Sequence, residues 1–342
     1  MLALQRESHV ALGVPSLSVS ARITEVLDYL KEQQLVDYIS TFENEVISKA
    51  ALKWCDVLIL SKHSSRGALD LLIEAQKNDV NVIYDIDDWI FSFPSYSAGA
   101  KQLEKVDTIK EIVNLADQVT VSNQLLLSEV SKIREDIVLV PNGIFIEKYT
   151  RQNTYEKDNE INPPRIVFTN ADLLKVANSK DIFLGILQEF FHHHPEYVLD
   201  FYGDPFPEMF TMSFLHFTKR IPYEEYMVSL INGKYQFSIT PLGGVEDYDS
   251  LFFNSCKNPF KYLNYAVASV PGIYSYSPIY KNCIESNETG ILAENTKLGW
   301  LDALESMSSD SDLRNKIRIN AFKNVNENHH IKYSAHKLYD LF

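Results

Sequence analysis

The feature that most limits what this chain can fold into is a repeated alternation of short apolar runs with stretches of helical periodicity. In the first half the runs fall at 9–14, 57–61, 80–85, 118–122 and 137–140. Several are apolar without polar alternation, the pattern of strands covered on both faces. Between them Leu103, Val106, Ile109, Ile112, Val113 and Ala116 lie on one helical stripe, and a second helix is predicted from about 123 to 133. The polar stretch 151–164, RQNTYEKDNEINPP, reads as a linker. Strands resume at 165–169, 198–203, 236–241 and 270–275, with helices at 181–193, 223–232, 260–268, 299–307 and 312–326. This order predicts an α/β chain with two Rossmann-like, doubly wound parallel-sheet domains, 1–150 and 165–342. Ligands are expected in a cleft facing the carboxyl ends of their strands.

The length of 342 residues suits two such cores. A net charge of −14 argues against a general nucleic-acid binder and leaves at most peripheral membrane association. Cys55, Cys256 and Cys283 stand far apart without a CxxC pair, so neither a zinc site nor a disulfide framework is expected. No leader-like apolar segment or membrane-length apolar run is visible, and a cytoplasmic location is expected. The 19 Tyr and 19 Phe serve core packing or sugar stacking alike. No Gly-x-Gly-x-x-Gly follows a predicted strand and no Walker-A run occurs, which weakens dehydrogenase and P-loop readings. The adjacent histidines at 192–194 and 329–330 point in different directions on a helix and predict no metal site.

Residues 116–144, ADQVTVSNQLLLSEVSK…IVLVPNGI, run strand, helix, strand and turn, with Ser122 placed to cap the helix and Asn142-Gly143 to make a tight turn. The second half continues with Lys175 and Lys180, the latter at a helix start. Then come VLDFYGD (198–204), IPYEEYMVSL (221–230), FSITPL (237–242) and CKNPFKYLNYAVASVPGIYS (256–275). This ordered series resembles glycosyltransferase family 4, the group 1 glycosyltransferases of GT-B fold, in a divergent form. The resemblance covers roughly 110–340 well and the first hundred residues loosely.

That resemblance implies a donor site in the second domain, formed by Asn170, Lys175, Lys180, Gly203, Asp204, Pro241, Lys257, Lys261, Tyr262 and Asn264. Two ammonium groups at a helix N-terminus make a competent diphosphate clamp, and two surface lysines are the plain alternative. The family's two donor glutamates fall on Cys256 and Asn264, neither of them acidic. An Asn amide can still hydrogen-bond a ribose; a thiol cannot replace a carboxylate. Glu246, Asp247 and Asp249 could supply a carboxylate or form a solvated acidic loop.

In the first half His63, just past the 57–61 strand, matches a family position facing the reacting sugar, though a lone His is also an ordinary packing residue. Asp85, Asp87 and Asp88 end the next strand, in YDIDDWIF. Asp87 and Asp88 could orient acceptor hydroxyls, with Trp89 stacking on a sugar, or could cap a helix. His63 and Asp88 are the catalytic candidates. Ser16, Ser18, Ser20 and Arg22 of PSLSVSAR could bind an acceptor or cap the helix that follows; Ser18, Arg22, Asp87 and Trp89 make up the acceptor set. The implied activity is retaining, metal-independent transfer from a UDP- or GDP-sugar to a carbohydrate or glycolipid acceptor, in bacterial surface polysaccharide synthesis. It needs no cofactor beyond the nucleotide-sugar co-substrate. Loss of both glutamates opens a second reading, a non-catalytic GT-B module supporting a partner transferase.

Overall fold

The computed structural model describes residues 1–5, 15–42, 49–94, 105–150, 163–170, 180–243 and 248–342. The described strands form two six-stranded parallel sheets. The first holds β1 (Leu2–Gln5), β2 (Ile39–Phe42), β3 (Val57–Ser61), β4 (Asn81–Ile86), β5 (Gln118–Val121) and β6 (Ile137–Leu139), in the order β2-β1-β3-β4-β5-β6. The second holds β7 (Arg165–Asn170), β8 (Val198–Gly203), β9 (Leu215–Thr218), β10 (Phe237–Thr240), β11 (Gly272–Ser275) and β12 (Ile291–Ala293), in the order β12-β11-β10-β7-β8-β9. In each sheet the chain first winds outward and then returns to the other side of its starting strand. The switch points are therefore β1/β3 and β7/β10, and a crevice opens at the carboxyl ends of such strands.

Both sheets are Rossmann-like because their central strands are buried on both faces. Every residue of β3, β10 and β11 is buried. In the first core, Val26, Leu27 and Leu30 of the Glu25–Glu32 helix pack with Ile331, Ala335 and Leu338 of the Ile331–Tyr339 helix over Ala3, Ile59 and Ile83. In the second, Phe183, Leu187 and Phe190 of the Lys180–His193 helix and Trp300 and Leu304 of the Lys297–Ser309 helix cover Ile166, Phe168, Phe201 and Ile239. Phe168 meets Phe183 and Phe201 edge-on, with ring centroids 5.3 and 5.0 Å apart.

The chain divides into a unit of Met1–Phe145, Cys256–Asn258 and His329–Phe342 and a second of Ile146–Ser255 and Pro259–Asn328. The sequence boundary at 165–342 thus differs at its end, since the last helix completes the first core. The reason lies at Gly143. Ile144 N–H donates to His329 O at 2.9 Å, and Ile331 N–H donates to Ile144 O at 3.0 Å. A Cβ on Gly143 would stand 2.8 Å from Ile331 Cα and 2.7 Å from Ser334 Oγ. Pro141-Asn142-Gly143 is therefore a docking stretch for the C-terminal segment, where the sequence suggested a tight turn. The predicted linker 151–164, but for its last two residues, and the predicted first strand 9–14 fall outside the described residues; the described strand that opens the sheet is β1, ahead of them.

Candidate functional site

At the switch point of the first sheet, β3 runs into Lys62 and His63. Lys62 adopts φ 52°, the left-handed region that bulky side chains rarely occupy. Its N–H donates to Asp85 O at 2.9 Å. Its ammonium forms an ion pair with Asp87 Oδ1 at 2.5 Å and donates to Asp88 Oδ2 at 3.1 Å and to Ser18 Oγ at 2.9 Å. Asp87 has no solvent exposure and also accepts from Asn258 Nδ2 at 3.1 Å. Burial pushes its carboxyl above the ordinary range, against the opposing pull of the Lys62 charge. The Asp88 side chain keeps 29% of its exposure.

Asp85 does different work. The Arg22 guanidinium grips it through Nε, 3.1 Å from each oxygen, and through Nη2 at 2.8 Å, while Thr120 Oγ1 donates to it at 2.6 Å. Arg22 also donates to Pro141 O and Asn142 Oδ1. At 4% exposure Arg22 is an internal strut that ties its helix to β4 and to the end of β6. His63 is fully buried, and Tyr84 Oη donates to its carbonyl at 2.8 Å. Trp89 is half-buried, its indole N–H donating to Ser92 Oγ and its ring 4.9 Å from Phe91.

Ser122 does not cap the Gln124–Val130 helix. Its hydroxyl donates to Asp87 O at 3.0 Å, and Asn123 Oδ1 accepts Leu126 N–H as the cap. Asn123 Nδ2 in turn donates to Cys256 O at 3.1 Å, drawing residues 256–258 onto the first unit. Lys257 is half-buried in this stretch. Cys256 is fully buried, and desolvation pushes its thiol up to about 12.

In the second unit, β7 and β8 end at Asn170 and Gly203, paired in register. Gly203 has φ 141°, and a Cβ there would lie 1.8 Å from Asn170 O. Only glycine lets the two strand ends approach so closely. Thr169 Oγ1 lies 2.5 Å from Tyr265 Oη and 3.1 Å from Tyr226 Oη. Burial raises both phenols, that of Tyr265 to about 12. Asn264 is buried on the Phe260–Val267 helix, where Tyr223 Oη donates to its Oδ1 at 2.9 Å.

Lys180 opens the Lys180–His193 helix and pairs with Glu208 at 2.7 Å; that hydrogen bond raises its pKa. Asp204 is exposed and pairs with Arg220 at 2.5 Å. Pro241 is buried just beyond β10, and Lys261 is half-buried one turn before Asn264. Tyr262 faces the core, donating to Asn324 Oδ1 at 2.9 Å, with its ring 5.9 Å from Tyr274. Asp249 is exposed near the start of the Tyr248–Ser255 helix. Lys175, Glu246 and Asp247 lie outside the described residues. Among the described residues no group of three or more His, Cys, Asp or Glu could hold a metal ion, and no helix is long and apolar enough to cross a membrane.

The two doubly wound sheets superpose on known structures. The fold is GT-B. Anabaena HepE in complex with UDP and glucose matches with a TM-score of 0.65 at 11% identity, over 99% of this chain and 98% of HepE. A glycosyltransferase from Rickettsia africae matches at 0.64 and 12% identity, over 99% and 97% of the two chains. S. aureus TarM, in complex with fondaparinux, α-GlcNAc-glycerol and UDP, matches at 0.60 and 10% identity. That match covers 92% of this chain but 58% of TarM, so the chain spans little more than half of TarM's length. No protein-family model matches the chain, and no curated protein matches it.

Sequence reasoning passed over Lys62, Asn258 and the Tyr223, Tyr226 and Tyr265 hydroxyls. Lys62 is adjacent to His63, which drew attention as a family position. Its left-handed backbone has no signature in a Ser-Lys-His tripeptide.

Proposed function

We propose that the chain is a glycosyltransferase of the family 4 type that takes a sugar from a UDP-linked donor and passes it to a carbohydrate or glycolipid acceptor. The observation that carries this reading is the GT-B match along almost the whole of both chains to a structure holding UDP and glucose. The donor belongs to the second unit, at the carboxyl ends of β7 and β10 beside the switch point. There Asn170 and the buried Asn264 supply polar groups, and Lys180 stands at a helix N-terminus that favours a diphosphate. Lys175 and Lys180 would stabilise the negative charge that grows on departing UDP. The acceptor belongs to the first unit, where Asp88 is the half-exposed carboxylate at the strand ends. Transfer is retaining and metal-independent, with no cofactor beyond the donor, and serves cell-surface glycan synthesis in the cytoplasm.

Purified chain incubated with UDP-glucose and other UDP-sugars, with and without a panel of methyl glycosides, tests this directly. UDP release that grows with glycoside, together with a glycosylated product, is the expected result, and EDTA should leave the rate unchanged. Absence of both UDP binding and turnover on any UDP- or GDP-sugar rejects the reading. A second reading, a non-catalytic GT-B module supporting a partner transferase, is favoured by one observation. The positions where the resemblance puts two glutamates hold a fully buried thiol and an amide already engaged by Tyr223. Calorimetric UDP binding without transfer or donor hydrolysis would decide for it.

A further inference from the structure

We propose that Lys62 is the positioning residue of the acceptor side of the reaction, holding the Asp88 carboxylate where it receives a hydroxyl of the acceptor sugar. This rests on the glycosyltransferase reading and adds to it a residue and a recognition chemistry. Lys62 follows β3 at the switch point of the first sheet, the place where a doubly wound sheet opens its crevice. Its side chain is 11% exposed, and its ammonium forms an ion pair with Asp87 Oδ1 and donates to Asp88 Oδ2 and Ser18 Oγ. Two of these partners are fixed by other elements. Asp87 is wholly buried, held by Asn258 Nδ2 and by Ser122 Oγ on its carbonyl, and Ser18 sits in the first turn of its helix. The third, Asp88, is the one carboxylate of the cluster that meets solvent.

The arrangement therefore has an inside and an outside. Asp87 and Ser18 anchor the ammonium, and the ammonium anchors Asp88. Lys62 itself sits at φ 52°, a left-handed conformation that costs a Lys more than a Gly or Asn. A carboxylate fixed in this way accepts hydrogen bonds and so selects a donor. A sugar hydroxyl supplies one; an acceptor phosphate or carboxylate would meet like charge. Lys62 itself touches Asp87, Asp88 and Ser18 and acts on the acceptor through Asp88.

The test uses the full chain with UDP-glucose as donor and the most active methyl glycoside as acceptor. Lys62→Met should raise the acceptor KM roughly tenfold or more, the loss expected when a hydrogen bond to a charged group is misplaced. The UDP-glucose KM and calorimetric UDP affinity should stay at wild-type values. Lys62→Arg, which keeps a cation among the same three oxygens, should recover most of the loss. Asp88→Asn, at a half-exposed position that leaves the core intact, should reproduce the Lys62→Met effect and serves if that variant fails to fold. A wild-type acceptor KM in Lys62→Met or in Asp88→Asn overturns the proposal while transfer by the wild type stands. Equal losses in UDP affinity and acceptor KM overturn it as well, since they report a general structural role. No transfer by the wild type overturns the glycosyltransferase reading and this inference with it.

Discussion

The Tyr223 hydroxyl donates to Oδ1 of Asn264 across 2.9 Å, within a site where Asn264 keeps 2% of its exposure. This bond joins the Tyr223–Asn232 helix to the Phe260–Val267 helix and fixes which way the amide faces. Tyr223→Phe removes the donor and leaves a buried carbonyl oxygen without it. The expected cost is about 1–3 kcal/mol, the desolvation penalty of one unsatisfied buried group. Urea denaturation measures it, and a wild-type midpoint would mean that the amide finds another donor.

Gly203 and Gly185 form a matched pair of tests. At Gly203 an added methyl would collide with the Asn170 carbonyl, 1.8 Å away, at φ 141°. Gly203→Ala should cost about 3 kcal/mol or more, since backbone cannot yield as a flexible side chain does and the conformation is itself strained. Gly185, inside the Lys180–His193 helix, has nothing within 4 Å of the point where a Cβ would stand. Gly185→Ala should stabilise by about 0.5–1 kcal/mol through helix propensity. Thermal melts of both variants check the opposite signs together.

Gly143→Ala should loosen the C-terminal helix. The added methyl would press on Ile331 Cα and Ser334 Oγ, and Ile331 anchors a helix whose Ala335 and Leu338 complete the first core. Faster amide exchange over 329–342 is the expected result, with the second sheet keeping wild-type protection. Uniform loss of protection in both sheets would count against a local docking role.

The central strands were the most legible part of the chain. β3 shows as an uninterrupted apolar run covered on both faces, and β7, β8 and β10 keep mostly buried side chains around the apolar residues Ile166–Phe168, Leu199, Phe201, Phe237 and Ile239. Among the edge strands β6 was legible, and β2 and β9 were not. β2 is half exposed and β9 alternates between half-buried and exposed residues, so neither carries the apolar run that marks a central strand. β1 has only four residues, Leu-Ala-Leu-Gln, without a β-branched side chain, and its place beside β3 comes from the sheet. At the site, the resemblance marked His63, Asp87 and Asp88, but burial separates their parts: His63 and Asp87 are enclosed, and Asp88 meets solvent. Arg22 was legible as a cation and illegible as a strut, because its partner Asp85 lies 63 residues away.

Cys256 and Cys283 make stability sensitive to alkali. Desolvation holds both thiols neutral in the folded chain, raising each from 9.0 to about 12. The unfolded chain releases these protons near 9.0, so above that pH the folded state binds more protons than the unfolded one. The contribution is complete below 9.0 and is lost as the pH climbs from there toward about 12. The melting temperature should therefore fall over this window, and the fall should be shallower in Cys256→Ala and in Cys283→Ala, after allowing for their cavities through the value at neutral pH. The same desolvation keeps the reactive thiolate scarce, so iodoacetamide at about pH 8 should label Cys256 far more slowly in the folded chain than in urea. Labelling at the unfolded rate would show that the Cys256 thiol is open to solvent and would remove the basis for the alkaline effect.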